Sequence, residues 1–220
     1  KNKMTLGYAI PSCKSYLNYT YRVLEQIDNS TIVPDEVVVS ISDTEIDVPL
    51  REDFNFPIKW IRNPNSEEGC TNRNIAAENL TTDIITFMDC DDLVHPQRNE
   101  FILKAFNQGA ETLVHSYVLG DRELQSDLKK NKRFLDNKHK ECVILREYLT
   151  SFGAPIGPQN DIDKNVHYHN AHVSVTKDIF STLKYEVHPF CDSYYTRKLV
   201  ENGHKIWYIP NELSYYILVK

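Results

Sequence analysis

The chain has 220 residues, 41% hydrophobic and 25% charged, a composition that supports one sizeable core and sets aside disordered, fibrous and membrane-spanning classes. Its formal net charge of -6 argues against a surface that binds nucleic acid by broad phosphate neutralisation, while leaving room for an anionic cleft that holds a cation. Five cysteines at irregular spacing, none in a Cys-x-x-Cys pair, give neither a disulfide framework nor a zinc pattern and point to a reducing compartment.

In chain order, Thr5 to Ile10 reads as a first strand ending at Pro11-Ser12, and Leu17, Tyr21, Leu24 and Ile27 then recur at helical spacing. Glu36 to Ile41 is a valine-rich buried strand and Ile58 to Ile61 a third. Asn72 to Leu80 reads as helix and Ile84 to Met88 as a fourth strand. This alternation predicts a parallel sheet covered by helices, with functional loops at the carboxyl ends of the strands. His95-Pro96 opens a helix running to about Phe106, because proline is tolerated in a first turn. Leu113 to Leu119 is a further strand. Residues 120 to 165 carry charge runs, Gly153, Pro155, Gly157 and Pro158 around a helix predicted near Val143 to Leu149, a place for an acceptor-binding lid. Val173 to Thr176 reads as strand, Ser193 to Asn202 as a helix stopped by Gly203, and Lys205 to Ile209 as a closing strand ahead of Pro210.

No apolar run reaches membrane-spanning length, and Thr5 to Ile10 is too short for a secretory leader. The expectation is a cytoplasmic protein with at most peripheral membrane contact. The basic run Lys129, Lys130, Lys132 and Arg133 reads first as a solvated face. The Asn-x-Ser/Thr triplets at Asn18, Asn29 and Asn79 read as chance matches in an Asn-rich chain.

The most informative stretch is Ile84-Ile85-Thr86-Phe87-Met88-Asp89-Cys90-Asp91-Asp92, an apolar strand that empties into three carboxylates. Hard oxygen ligands at the rim of a sheet suit a divalent metal and a phosphate-bearing substrate. By themselves, Asp91 and Asp92 serve equally well as turn and cap residues. Just upstream, Gly69-Cys70-Thr71-Asn72-Arg73-Asn74-Ile75-Ala76-Ala77 opens a helix.

Gly-x-x-x-Arg-Asn at a helix start, small residues, and then a strand ending in Asp-x-Asp-Asp resemble the nucleotide-sugar half of a family 2 glycosyltransferase with the GT-A fold. The likeness covers most of residues 4 to 107, and a weaker one covers about 172 to 217. It implies an α/β, Rossmann-like and mostly parallel central sheet flanked by helices, with a smaller C-terminal acceptor-side part. Residues 1–220 then form one domain, with a nucleotide-sugar-binding half over 1–110 and an acceptor-binding half over 111–220.

The resemblance also implies roles. Asp91, with Asp89, would hold Mn2+ or Mg2+, and Asp89 would also touch the donor. Pro11, Ser42, Asp43, Arg73 and Asn74 would line the donor site. A guanidinium at Arg73 suits phosphate or base-edge hydrogen bonding, with a surface salt bridge as its plainer reading. Ser40-Ile41-Ser42-Asp43-Thr44 departs from the Asp-Asp-Gly-Ser that the family carries there, which leaves the base of the donor open, UDP being the expected one. Asp192 in Phe190-Cys191-Asp192-Ser193 would be the catalytic base for an inverting transfer, although Cys191 stands where the family has Glu and an N-cap explains Asp192 nearly as well. His172 or His169 would line an acceptor pocket, and no histidine falls where the family adds a late metal ligand. The expected partners are a nucleotide-sugar donor and a glycan, glycolipid or protein-linked sugar acceptor. The alternatives are an inactive nucleotide-sugar-binding module and a haloacid-dehalogenase-like phosphatase, whose Asp-x-Asp ordinarily sits on the opening strand.

Overall fold

The computed structural model describes residues 3–44, 49–121, 128–149, 172–188 and 191–218. The predicted lid falls largely outside them, as does His169. Strands β1 (Leu6–Cys13), β2 (Glu36–Ser42), β3 (Ile58–Arg62) and β4 (Ile84–Phe87) pair in parallel in the order β3-β2-β1-β4. The valines and isoleucines of β1, β2 and β4 are buried because both faces are covered, the condition parallel strands need, while Ile58 and Ile61 of β3, at the end of the order, are only partly so. Helix α1 (Leu17–Asp28) lays Thr20, Val23, Leu24 and Ile27 against Tyr8, Ile10, Val37 and Val39. Helix α2 (Gly69–Glu78) buries Cys70, Ala76 and Ala77 on the other face, with Ala9, Val38 and Phe87.

Beyond β4 the sheet turns mixed. Strand β8 (Val173–Thr176) runs antiparallel to β4 and to β6 (Thr112–Asp121), which is parallel to the long β9 (Ile206–Leu218). Two short strands, β5 (Leu93–Val94) and β7 (Leu145–Leu149), add antiparallel to β9. Helix α3 (Arg98–Asn107) buries Phe101, Ile102, Ala105 and Phe106, and α4 (Leu128–Asp136), α5 (Lys177–Thr182) and α6 (Cys191–Glu201) complete the described α-helices. No described helix is long and apolar enough to cross a membrane. The basic run falls on α4, where Lys132 and Arg133 are exposed and Phe134 is buried beside Tyr215.

Several boundaries differ from the sequence pattern for identifiable reasons. Strand β1 does not stop before Pro11. Ala9 accepts from the Met88 amide, so its backbone faces β4. Two residues on, Pro11 faces the same way, past the point where β4 pairing ends at Ala9–Phe87, so its missing N–H costs nothing. Strand β9 likewise runs through Pro210, because the pairing with β6 shifts register between His115 and Tyr117 and the bulge absorbs the proline. The helix predicted near Val143 to Leu149 is instead β7, recruited by the open edge of β9, with a left-handed residue at Glu147 (φ 47°) where the pairing slips. His95-Pro96 forms a turn before α3 rather than its first turn.

That turn is pinned by His95, which is buried. Its Nδ1 accepts from the Gln97 amide at 3.1 Å, so its Nε2 carries the hydrogen and donates to the Asn137 carbonyl at 2.7 Å. Burial lowers its pKa to about 4, the Asn137 bond opposes the shift, and neighbouring His139 adds to it. The folded pKa lies below the unfolded one, so the neutral ring's contribution is complete above about pH 6.5 and is lost as pH falls toward 4. Thermal unfolding followed from pH 7 to pH 4.5 should show a destabilisation of which about 2 kcal/mol belongs to this ring. His95→Asn should flatten that part of the profile, and an unchanged profile would remove His95 from the account. A second test concerns Gly7 on β1, where an added Cβ would meet Thr82 Oγ1 at 2.3 Å and Leu80 Cδ2 at 2.7 Å. Gly7→Ala should cost about 1–3 kcal/mol in denaturant unfolding by overpacking.

Candidate functional site

Strand β1 outruns β4: Ile10 to Cys13 stay paired with β2 after β4 has ended, leaving a ledge where the chain crosses from one side of β1 to the other. That is the topological switch point at which open α/β sheets place their ligand crevices. A cleft of about 270 Å³ lies there. Pro11, Ser12 and Cys13 form one wall, Ser42 the end of β2, Gly69, Asn72 and Arg73 the start of α2, and Asp89, Cys90 and Asp91 the loop after β4.

The side chains are held from behind. Asn72, 1% exposed, donates to the Ser12 carbonyl at 3.4 Å and to Ser42 Oγ at 3.2 Å, and its Oδ1 accepts from Ser40 Oγ at 2.8 Å and Asn63 Nδ2 at 3.0 Å. One side chain thus fixes the ends of β1 and β2 relative to α2. Arg73 donates from Nη2 to Asp89 Oδ1 at 2.5 Å and from Nη1 to Cys191 Sγ at 3.8 Å. It is a buried pair rather than a surface bridge, with side-chain exposures of 9% and 13%. Burial works against the charge on Arg73, but Asp89 together with Tyr185 and Cys191 outweighs it and holds the guanidinium pKa above its ordinary value. The glycine that opens α2 has a local reason: a Cβ at Gly69 would sit 3.3 Å from Arg73 Nη1.

The acidic loop divides its labour. Asp89 and Asp91 face the cleft. Asp92 is fully buried and turns the other way, accepting the Ile217 amide of β9 at 3.0 Å. Burial, with like charge from Asp89 and Asp91, pushes the Asp92 carboxyl well above the usual carboxylate range. Arg22 of α1 donates to the Asp91 carbonyl at 2.7 Å. Beneath the loop, Arg98 donates to the Phe87 carbonyl at 3.0 Å, Thr86 Oγ1 at 2.9 Å and His115 Nε2 at 3.0 Å.

Of the residues expected at the site, Pro11, Ser42, Arg73, Asp89 and Asp91 converge on the cleft. Asp43 is exposed in a left-handed turn (φ 55°) just past β2, with its amide on the Asn65 carbonyl. Asn74 has a different task. Its Nδ2 donates to the Tyr185 carbonyl at 2.8 Å and its Oδ1 accepts the Tyr185 amide at 3.0 Å, which clamps α2 to the segment before α6. His172, 1% exposed, is stacked on Tyr117 at 4.2 Å with His115 edge-on at 5.3 Å, inside the sheet's own packing. Helix α6 begins two residues earlier than the pattern indicates, so Asp192 lies within its first turn rather than at the cap, next to the Cys191 that Arg73 contacts. Asn72, Arg22 and Arg98 are not singled out by the sequence. Asn72 is adjacent to the Arg-Asn pair, whereas the two arginines give no local signal, because their partners lie far along the chain.

Among the described residues, no group of three or more His, Cys, Asp or Glu is arranged to hold a metal unaided. Asp91 and Asp89 offer the one or two carboxylates that suffice for a Mg2+-type ion when substrate phosphates and waters complete the shell, so the residues present fit such an ion.

Comparison with known proteins agrees with this geometry. Residues 9–158 match the family model for glycosyl transferase family 2. An uncharacterised glycosyltransferase of Haemophilus influenzae is 27% identical over 137 residues, 62% of this chain and 40% of that protein. The fold is similar to S. aureus TarS 1-349 in complex with UDP-GlcNAc (TM-score 0.68, 14% identity, 99% of this chain and 59% of that one). It is also similar to the mannosyltransferase PcManGT of Pyrobaculum calidifontis in complex with GDP-Man and Mn2+ (TM-score 0.64, 15% identity, 100% and 59%). The chain therefore spans two-fifths of the curated relative and about three-fifths of these solved chains. With the mixed sheet of a GT-A glycosyltransferase and a family match over most of its length, the chain belongs to glycosyl transferase family 2.

Proposed function

We propose that this domain moves a sugar from a nucleoside-diphosphate donor, a UDP-sugar first, to a hydroxyl of a glycan, glycolipid or protein-linked acceptor, by single displacement with inversion. The observation that carries the reading is the convergence of Asp89, Asp91 and Arg73 on one cleft at the strand ends. The start of α2, whose N-cap residue makes no side-chain capping bond, borders that cleft, an arrangement suited to phosphate. Two carboxylates on the facing loop would repel the same phosphates unless a cation sits between them. Asp91, assisted by Asp89, would hold Mn2+ or Mg2+, which when bound supplies Lewis-acid neutralisation of the departing diphosphate. Pro11 and Ser42 would border the nucleoside, and Arg73 would keep Asp89 oriented.

On the acceptor side, Asp192 takes the proton of the acceptor hydroxyl as that oxygen bonds to the anomeric carbon and the bond from that carbon to the diphosphate oxygen breaks. Its place at the start of α6, beside a residue that touches Arg73, supports this assignment. A second reading, a module that binds a nucleotide sugar without transferring it, draws on Cys191, which stands where the family carries Glu.

Calorimetric titration with UDP, GDP, dTDP and CMP, each with and without Mn2+, tests the site directly. One nucleotide should bind only with metal, and Asp91→Ala should abolish the metal-dependent part. Failure of all four to bind would sink the donor-site reading. Asp192→Asn should leave nucleotide affinity unchanged and lower turnover by about 10²–10⁴-fold, the range expected for loss of a general base. Normal turnover in that variant would assign the base elsewhere, and metal-dependent binding with no transfer by the unaltered protein would favour the binding-module reading.

A further inference from the structure

The basic run on α4 has no part in the cleft. Residues 129–141 carry six lysines or arginines against Asp136 and Glu141, in a chain whose formal net charge is -6. On α4, Phe134 is buried in one cluster with Leu93, Tyr215 and Ile217, and Leu135 packs against it. Lys130, Lys132 and Arg133 are exposed, as are Lys138 and Lys140 in the segment that follows. No ion pair with a described residue engages Lys132, Arg133, Lys138 or Lys140. That segment is fixed by its backbone instead. Gln97 clasps His139 with both ends of its amide, Nε2 donating to the His139 carbonyl at 3.1 Å and Oε1 accepting the His139 amide at 2.8 Å. Asn211 of β9 does the same around Cys142, donating to the Glu141 carbonyl at 3.0 Å and accepting the Val143 amide at 3.1 Å. Just past the second clasp, Val143 and Leu145 are 41% and 36% exposed, two of the five exposed large apolar side chains among the described residues, so the basic segment runs directly into an aliphatic one.

We propose that α4 and residues 137–145 form a docking surface for an anionic lipid bilayer. Charge complementarity carries the assignment. Headgroup phosphates meet the ammonium and guanidinium groups, and the boundary of the acyl chains meets Val143 and Leu145. A nucleic acid uses the cations alone and gives the aliphatic pair nothing to do. The rest of the chain carries the excess of acid, so a negative surface attracts this segment and repels the remainder, which fixes the side on which the molecule lands. Because the backbone is already clasped, docking has only the basic side chains left to order. The surface is also built on the acidic loop: α4 rests through Phe134 in the cluster that holds Leu93, the residue after Asp92. The docking assumes nothing about the chemistry of the cleft.

The test is flotation of the full chain with two sets of vesicles, phosphatidylcholine alone and phosphatidylcholine with one-third phosphatidylglycerol. The protein should float with the second and not with the first, and added salt should release most of it, since exposed charges are screened. Each basic residue near an anionic surface is worth roughly fivefold in partition, so the combined variant Lys132→Gln, Arg133→Gln, Lys138→Gln and Lys140→Gln should bind about 10²–10³-fold more weakly. None of the four has an ion pair to lose, so its thermal unfolding should match that of the unaltered protein. Replacing the three lysines by arginine should preserve binding. Val143→Ser with Leu145→Ser should weaken it about tenfold and leave its salt dependence in place. Equal flotation with both vesicle sets, or undiminished flotation of the glutamine variant, would overturn the proposal. Retention on duplex DNA with no flotation would also overturn it, by giving the surface to a polyanion in solution. None of the four residues lines the cleft, so nucleotide titration of the glutamine variant should be unchanged. A protein that floats but binds no nucleotide would sink the sugar-transfer reading and leave the docking surface standing.

Discussion

The buried ion pair between Arg73 and Asp89 is the constraint on which the site depends. It joins the first turn of α2 to the loop after β4, and through Cys191 it reaches the start of α6. Removing one member of such a pair leaves an uncompensated charge in a low-dielectric wall, a loss on the order of 3–5 kcal/mol. The pair also sets the electrostatic character of the cleft. With Asp89 answered by Arg73, the wall carries less unbalanced negative charge than three successive carboxylates would give it.

Around that pair the acidic loop is anchored on several sides. Arg22 grips it from α1, Asp92 ties it to β9, and Arg98 braces the strand end below it. Cleft residues held by partners on different elements are pre-oriented before any ligand arrives, which lowers the cost of ordering them on binding. The third carboxylate of the motif therefore serves architecture. Its neutralising environment, set by burial and by two like charges, suits it to a fixed backbone amide better than to solvent.

The parallel half of the sheet was legible in the sequence because buried strands write themselves as unbroken runs of valine and isoleucine, as at Glu36–Ser42 and Ile84–Phe87. The wall of the cleft formed by Arg73, Asp89 and Asp91 was legible through resemblance, since these residues fall within two short motifs on adjacent elements. What escaped was set by partners distant in sequence. Leu145–Leu149 becomes strand only because β9 offers an edge, and β5 is too short to show a period. Arg98 looks like any helix arginine until Thr86, Phe87 and His115 close around it, and Asn74 looks like a ligand contact until Tyr185 occupies both ends of its amide.

Strand β5 belongs by sequence with the first four strands, but in space it lies at the opposite end of the sheet, beyond β9. The chain therefore closes on itself: Leu93–Val94 pair with Ser214–Tyr215, and Asp92 next to them holds Ile217. The N-terminal and C-terminal parts of the sheet are thus interlaced rather than stacked end to end. Recombination among relatives at a crossover near residue 110 would exchange β5 together with the acidic loop and confront both with a foreign β9. Chimeras that exchange the cleft by such a swap would have to bring along a matching C-terminal strand, which makes β9 part of the heritable unit that carries the cleft despite its distance from it in sequence.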